Sequence, residues 1–208
     1  MEVKMISILL LFVISCNSPN ETKEKNNCME ITGKDTIWKR HTIKNDAFYQ
    51  FLPITDSTYK VEWGNRVFNN VSNEVFETSG SGIFQLLDHN EMAIILEKSC
   101  GTSCNSYLVL PFHSQAKEKV FLFAIAYNME NNLVAYISEN DQVFVSVENY
   151  LTRKKTDIKI ESLCPAAFKG DCIDTSYFIN NKYIIRWHGC NWSDSNQDIL
   201  QKEIFINL

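Results

Sequence analysis

Between Cys28 and Leu208 the apolar residues fall into short runs rich in Val, Ile, Phe and Tyr, separated by clusters of Asn, Asp, Ser and Gly. No window of a dozen residues repeats its apolar positions at the helical period, so the chain offers no amphipathic helix around which a core could be built. The clearest runs are Gly82–Leu87, Met92–Leu96, Tyr107–Leu110, Val120–Tyr127, Leu133–Ile137, Val143–Val147, Thr156–Ile160, Ser176–Ile179, Tyr183–Trp187 and Glu203–Ile206. β-Branched and aromatic residues in runs of this length, bounded by turn formers, predict strands. The expected fold class is all-β, made of antiparallel meanders.

An internal echo accompanies these runs. Ile83–Leu87 with Met92–Leu96, Phe121–Tyr127 with Leu133–Ile137, and Tyr177–Ile179 with Tyr183–Trp187 each place an Asn-bearing turn between two apolar strands. Asn suits such turns because it tolerates positive φ and hydrogen-bonds its own backbone. The order strand, turn, strand, polar loop, strand resembles the blades of a β-propeller, most closely over Phe121–Ile160. Gly-His and Trp-Asp dipeptides are absent, and Thr58–Phe76 is less regular. A four-stranded meander is equally at home in a sandwich. Two architectures therefore stay open: propeller-like stacked small sheets, or a β-sandwich or irregular barrel.

Charge narrows the partners. Twenty Lys and Arg against 25 Asp and Glu give a net charge of −5, with no basic surplus to neutralise a phosphate backbone, so nucleic acid is not expected as a partner.

The N-terminus sets the expected location. Lys4 is followed by an apolar stretch from Met5 to Ile14 broken only by Ser7, which is a signal-peptide length and shorter than the roughly 20 residues of a spanning helix. It ends in Val13-Ile14-Ser15-Cys16, which resembles the lipobox of bacterial lipoproteins. The resemblance implies removal of a signal peptide at 1–15 and acyl chains, palmitate among them, on Cys16. Two or more such chains anchor stably where one binds only marginally. A freely secreted protein and a cytosolic one are the competing readings. Residues 17–27 contain no apolar side chain, so 16–27 reads as a lipidated cysteine and flexible tether, reaching at most about 40 Å when extended. Residues 28–208 read as a single disulfide-braced domain. The expected location is the cell envelope, on the outer rather than the inner membrane, facing the periplasm or the cell surface.

With Cys16 assigned to lipid, Cys28, Cys100, Cys104, Cys164, Cys172 and Cys190 form an even set, suited to disulfides in an oxidising compartment. Spacing suggests Cys100 with Cys104 and Cys164 with Cys172, leaving Cys28 for Cys190. Zinc and redox catalysis fit less well, because Cys-x-x-x-Cys is not the Cys-x-x-Cys redox spacing and no βαβ pattern surrounds it.

A search for chemistry finds no nucleophile elbow, phosphate-cradling loop or His-Glu-x-x-His. Ser79-Gly80-Ser81-Gly82 has its glycines misplaced for an elbow, and His41, His89, His113 and His188 share no spacing. Trp187-His188-Gly189-Cys190-Asn191-Trp192 is the most concentrated unusual stretch. Trp187, His188 and Trp192 are candidate glycan-stacking or ligand-binding residues, against core packing of the rings as the plainer reading, and Cys190 beside His188 is a remote nucleophile pair. Asp194, Asn196 and Asp198 match half of a Ca²⁺ loop, but Ile199 and Phe205 occupy its glycine and glutamate positions. Asp56, Glu62, Glu74, Glu77, Asp88 and Glu91 supply carboxylates for a glycosidase-type pair without showing which converge. No metal, cofactor or catalytic residue is assigned. The expectation is a membrane-anchored envelope lipoprotein whose body binds an envelope protein or glycan, with a hydrolase or a structural component as alternatives.

Overall fold

A computed structural model of the chain describes residues 38–78, 82–101, 104–113, 117–160, 166, 168–189 and 199–208. These fall into four antiparallel sheets taken up in chain order. The first holds β1 (His41–Thr42), β2 (Phe48–Pro53), β3 (Thr58–Gly64), β4 (Asn69–Val71) and β5 (Phe76–Glu77), the last two both pairing with β3. The second holds β6 (Gln85–His89), β7 (Ala93–Gly101), β8 (Cys104–Pro111) and β9 (Lys119–Phe121). β10 (Ala124–Asn128), β11 (Leu133–Ile137), β12 (Val145–Asn149) and β13 (Lys155–Ile158) form the third, and β14 (Ile173–Ile179), β15 (Lys182–His188) and β16 (Ile199–Phe205) the fourth. The described residues include two short 3₁₀ turns, Lys44–Asp46 and Lys169–Cys172, and no α-helix. The fold is thus all-β and antiparallel, and of the two architectures left open it takes the stacked small sheets.

Alternation along each strand explains the stacking. On β7, Ile94 and Leu96 face the first sheet with Tyr59, Val61 and Trp63, while Ala93 and Ile95 face the third sheet with Val134 and Tyr150. On β12, Val145 and Val147 pack toward the fourth sheet against Tyr183, Ile185 and Trp187. A sheet covered on both faces needs apolar residues at successive positions. That is why Ala93–Leu96 and Tyr107–Leu110 read as continuous runs, all buried. In the first sheet the described residues pack the face of Tyr59, Val61 and Trp63, which alternate with half-buried Lys60 and Glu62. Trp63 also joins its sheet to the next by donating its indole N–H to the Pro111 carbonyl at 2.8 Å.

Asn governs the turns as expected. The Asn90 side chain accepts from the amides of Met92 and Ala93 at 2.8 and 2.9 Å, and that of Asn128 accepts from Asn131 at 2.9 Å. Asn132 and Asn180 take positive φ of 58° and 52°, where Asn is better tolerated than most residues.

One expected strand is divided. Val120–Tyr127 reads as a single run, but the chain turns at Leu122 and Phe123, so β9 belongs to the second sheet and β10 to the third. Phe123 adopts a left-handed φ of 54°, a conformation costing on the order of 1–3 kcal/mol for a bulky residue. It is held there by packing, its ring centroid 5.0 Å from that of Phe168, and by Ile137, whose amide donates to the Phe123 carbonyl at 3.0 Å. Neither Leu nor Phe announces a turn.

Candidate functional site

β7 and β8 have nine and eight residues, while their neighbours β6 and β9 have five and three. The β7–β8 hairpin consequently projects beyond its own sheet. Where it projects, the first and second sheets part to leave a groove of about 890 Å³, within the 300–1,000 Å³ range typical of ligand pockets. Cys100 and Cys104 are disulfide-bonded across the hairpin tip, with Cα atoms 5.1 Å apart, as the spacing predicted. Closing so short a loop stabilises by about 2 kcal/mol in the chain-entropy picture.

The groove is built from both sheets. Phe76 of β5 and Phe84, just before β6, form an apolar floor, 8% and 4% exposed, with ring centroids 5.6 Å apart and planes at 81°. Val120 and the exposed Leu122 extend that surface, while Glu74, Glu77, Lys98, Ser99 and Ser106 supply the polar groups. Two bridges tie the walls together. Lys98 Nζ donates to the Glu77 carbonyl at 2.9 Å. The buried Glu118 carboxylate accepts from the amides of Asn73 and Glu74 through one oxygen, the latter at 3.1 Å. Two carboxylates and one ammonium at an apolar slot suit a ligand with an apolar body and hydrogen-bonding or cationic edges.

Of the six carboxylates singled out from the sequence, Glu74 and Glu77 alone line this groove. Glu62 is held by Arg40 at 3.5 Å and accepts from Asn69 at 3.0 Å. Asp88 accepts from the His89 amide at 2.7 Å, and Asp56 and Glu91 lie exposed in turns. The four histidines sit on β1, β6, β15 and just after β8, and the described residues contain no cluster of three or more metal-ligating side chains.

The tryptophan-rich stretch resolves in part. Trp187 is 5% exposed in the core between the third and fourth sheets, so its ring presents no face to a ligand and the packing reading holds for it. His188 is half-buried at the end of β15, opposite Ile199. Trp192 and Cys190 lie outside the described residues, as do Ser79-Gly80-Ser81, Asp194, Asn196, Asp198, Cys16, Cys28 and Cys164. Cys172 is disulfide-bonded and 1% exposed, with its partner outside the described residues.

Lys98 and Glu118 were not anticipated. Glu118 stands 44 residues from the Glu74 amide it accepts from, and its role exists only once the two sheets are stacked. No protein family, curated protein or solved structure matches the chain.

Proposed function

We propose that the protein is a bacterial envelope lipoprotein, anchored through Cys16, whose β body binds a ligand with an apolar portion in the groove between the first and second sheets. The observation that carries the reading is Val13-Ile14-Ser15-Cys16 at the end of an uncharged apolar stretch and before a polar tether. The groove supports it by offering an apolar floor with a few convergent polar groups, the usual constitution of a binding site. Among the described residues no helix is long and apolar enough to cross a membrane, which leaves β-barrels unaddressed.

The experiment follows the cysteine. Expressed with an alkyne fatty acid in a bacterial host, the wild type should take up label and sediment with membranes, and Cys16→Ala should lose both properties. Unchanged membrane retention of the unlabelled variant would sink the anchor.

A hydrolase is the second reading, because Glu74 and Glu77 share the groove. Both are exposed, whereas a general acid needs burial or a close like charge to stay protonated near neutral pH. Binding is therefore preferred. Release of product from envelope glycan or peptide, abolished by Glu74→Gln, would reverse that preference.

A further inference from the structure

β9 has two sides. Val120, with Leu122 just after the strand, borders the groove just described, and both also border the space that Lys119 and Phe121 line toward the third sheet. There a recess of about 260 Å³ opens, slightly below the size of pockets for drug-sized ligands. We propose that this recess is a second binding site, for a neutral carbohydrate, recognised by Lys119, Tyr136 and Lys155.

The argument rests on how the polar groups are paired. Lys119 Nζ lies 2.6 Å from both carboxylate oxygens of Glu148, and Glu148 is only 3% exposed. Tyr136 donates to Glu148 Oε2 at 3.3 Å. Next along the same face of β12, Ser146 donates to Asp157 Oδ1 at 2.7 Å, and Lys155 reaches that same oxygen at 3.1 Å. Each ammonium at the recess thus has its own carboxylate.

That arrangement discriminates between ligand classes. A phosphate or carboxylate drawn to Lys119 and Lys155 would meet Glu148 and Asp157 immediately beside them. A cation drawn to Glu148 and Asp157 would meet the two ammoniums, and Glu139, the other carboxylate lining the recess, is exposed. A sugar hydroxyl donates and accepts at once, so adjacent hydroxyls are satisfied by donors and acceptors set side by side. Burial, reinforced by the negative Glu148, pushes the Tyr136 hydroxyl up to about 12, so it stays protonated and holds its hydrogen bond to Glu148 while its lone pairs can accept from a sugar hydroxyl. Phe123 and Tyr136 are half-buried and line the recess, offering aromatic surface against which the apolar side of a sugar ring can rest.

The location supports a ligand as well. The cores joining the first sheet to the second and the third to the fourth consist of apolar and aromatic side chains. Only this joint, among the described residues, carries an ion pair to a buried carboxylate, with Lys119 itself partly exposed, an arrangement that contributes less to stability than apolar packing of the same volume.

The test uses the full chain titrated by calorimetry with maltose, lactose and chitobiose, and separately with inorganic phosphate. At least one of the sugars should bind saturably and phosphate should not. Tyr136→Phe and Lys155→Gln should each weaken the sugar about tenfold, the worth of one hydrogen bond, with melting temperatures close to wild type. Should Tyr136→Phe fail to fold, Lys155→Gln carries the comparison. Saturable phosphate binding, no binding of any of the three sugars, or sugar binding that both variants leave unchanged would overturn the proposal.

Discussion

The joint between the second and third sheets differs from the one between the first and second. In the core of the earlier joint Trp63, Tyr59, Phe51, Leu96 and Leu108 meet without a charge among them, and the polar links around it, from Trp63 to Pro111, Lys98 to Glu77 and Glu118 to Asn73 and Glu74, each join a side chain to the backbone. The later joint begins with a similar cluster, Ile95, Val109, Phe121 and Val134, but gives way at its outer end to Lys119, Glu148 and Tyr136. Apolar contact is non-directional and tolerates sliding. An ammonium held against both oxygens of a buried carboxylate does not, so the second joint is aligned by a side-chain ion pair where the first is aligned by hydrogen bonds to the backbone.

Trp63→Ala attacks the apolar joint and should have the largest effect. It removes a fully buried indole and leaves the Pro111 carbonyl without its donor, for a loss of about 3–5 kcal/mol in denaturant unfolding. A loss below about 1 kcal/mol would mean that this cluster does not hold the first two sheets together. The polar joint is tested by Lys119→Ala, which leaves Glu148 buried with Arg153 as its remaining cation, at 3.9 Å. Partial exposure of Lys119 moderates the cost, expected at about 2–3 kcal/mol. Replacing both partners, Lys119→Met with Glu148→Leu, should recover most of it, because two apolar side chains leave no charge unpaired. If the double variant is as unstable as the single one, the pair is not the source of the effect.

The smallest effect per side chain comes from alkaline pH. Burial raises the Tyr59 hydroxyl in the apolar joint to about 12, and burial together with Glu148 does the same for Tyr136 in the polar one. These groups stay neutral in the folded state while an unfolded tyrosine ionises near 10. Their contribution is therefore intact below pH 10 and lost as the pH rises toward 12. For the fully buried Tyr59 the loss is roughly 0.5 kcal/mol between pH 10.5 and 11. Tyr59→Phe should lessen the fall in melting temperature across that interval. An unchanged fall would assign the alkaline transition to other groups.

Much of this was legible in the residues. Apolar runs without alternation marked the sheets covered on both faces, and Asn90, Asn128 and Asn180 marked the hairpins between them. The first sheet was harder to see, although Tyr59, Val61 and Trp63 alternate with Lys60 and Glu62 in a plain period of two. The break at Leu122 and Phe123 carries no turn signal, because Phe123 is held in the left-handed region by tertiary contacts with Phe168 and Ile137. Both candidate sites were illegible for a common reason. The groove depends on the unequal lengths of β6 to β9, and Lys119 meets Glu148 across 29 residues, so each arises from how sheets stack and not from any local spacing.

The order in which the sheets are built bears on how the chain reaches its fold. Every ladder among the described residues joins strands that follow one another in sequence, apart from β5 on β3. Each sheet can close from its own segment without waiting for distant residues, and low contact order of this kind favours rapid folding. A chain delivered from its N-terminus could therefore assemble sheet upon sheet as it emerges, with Leu122 and Phe123 passing it directly from the second to the third.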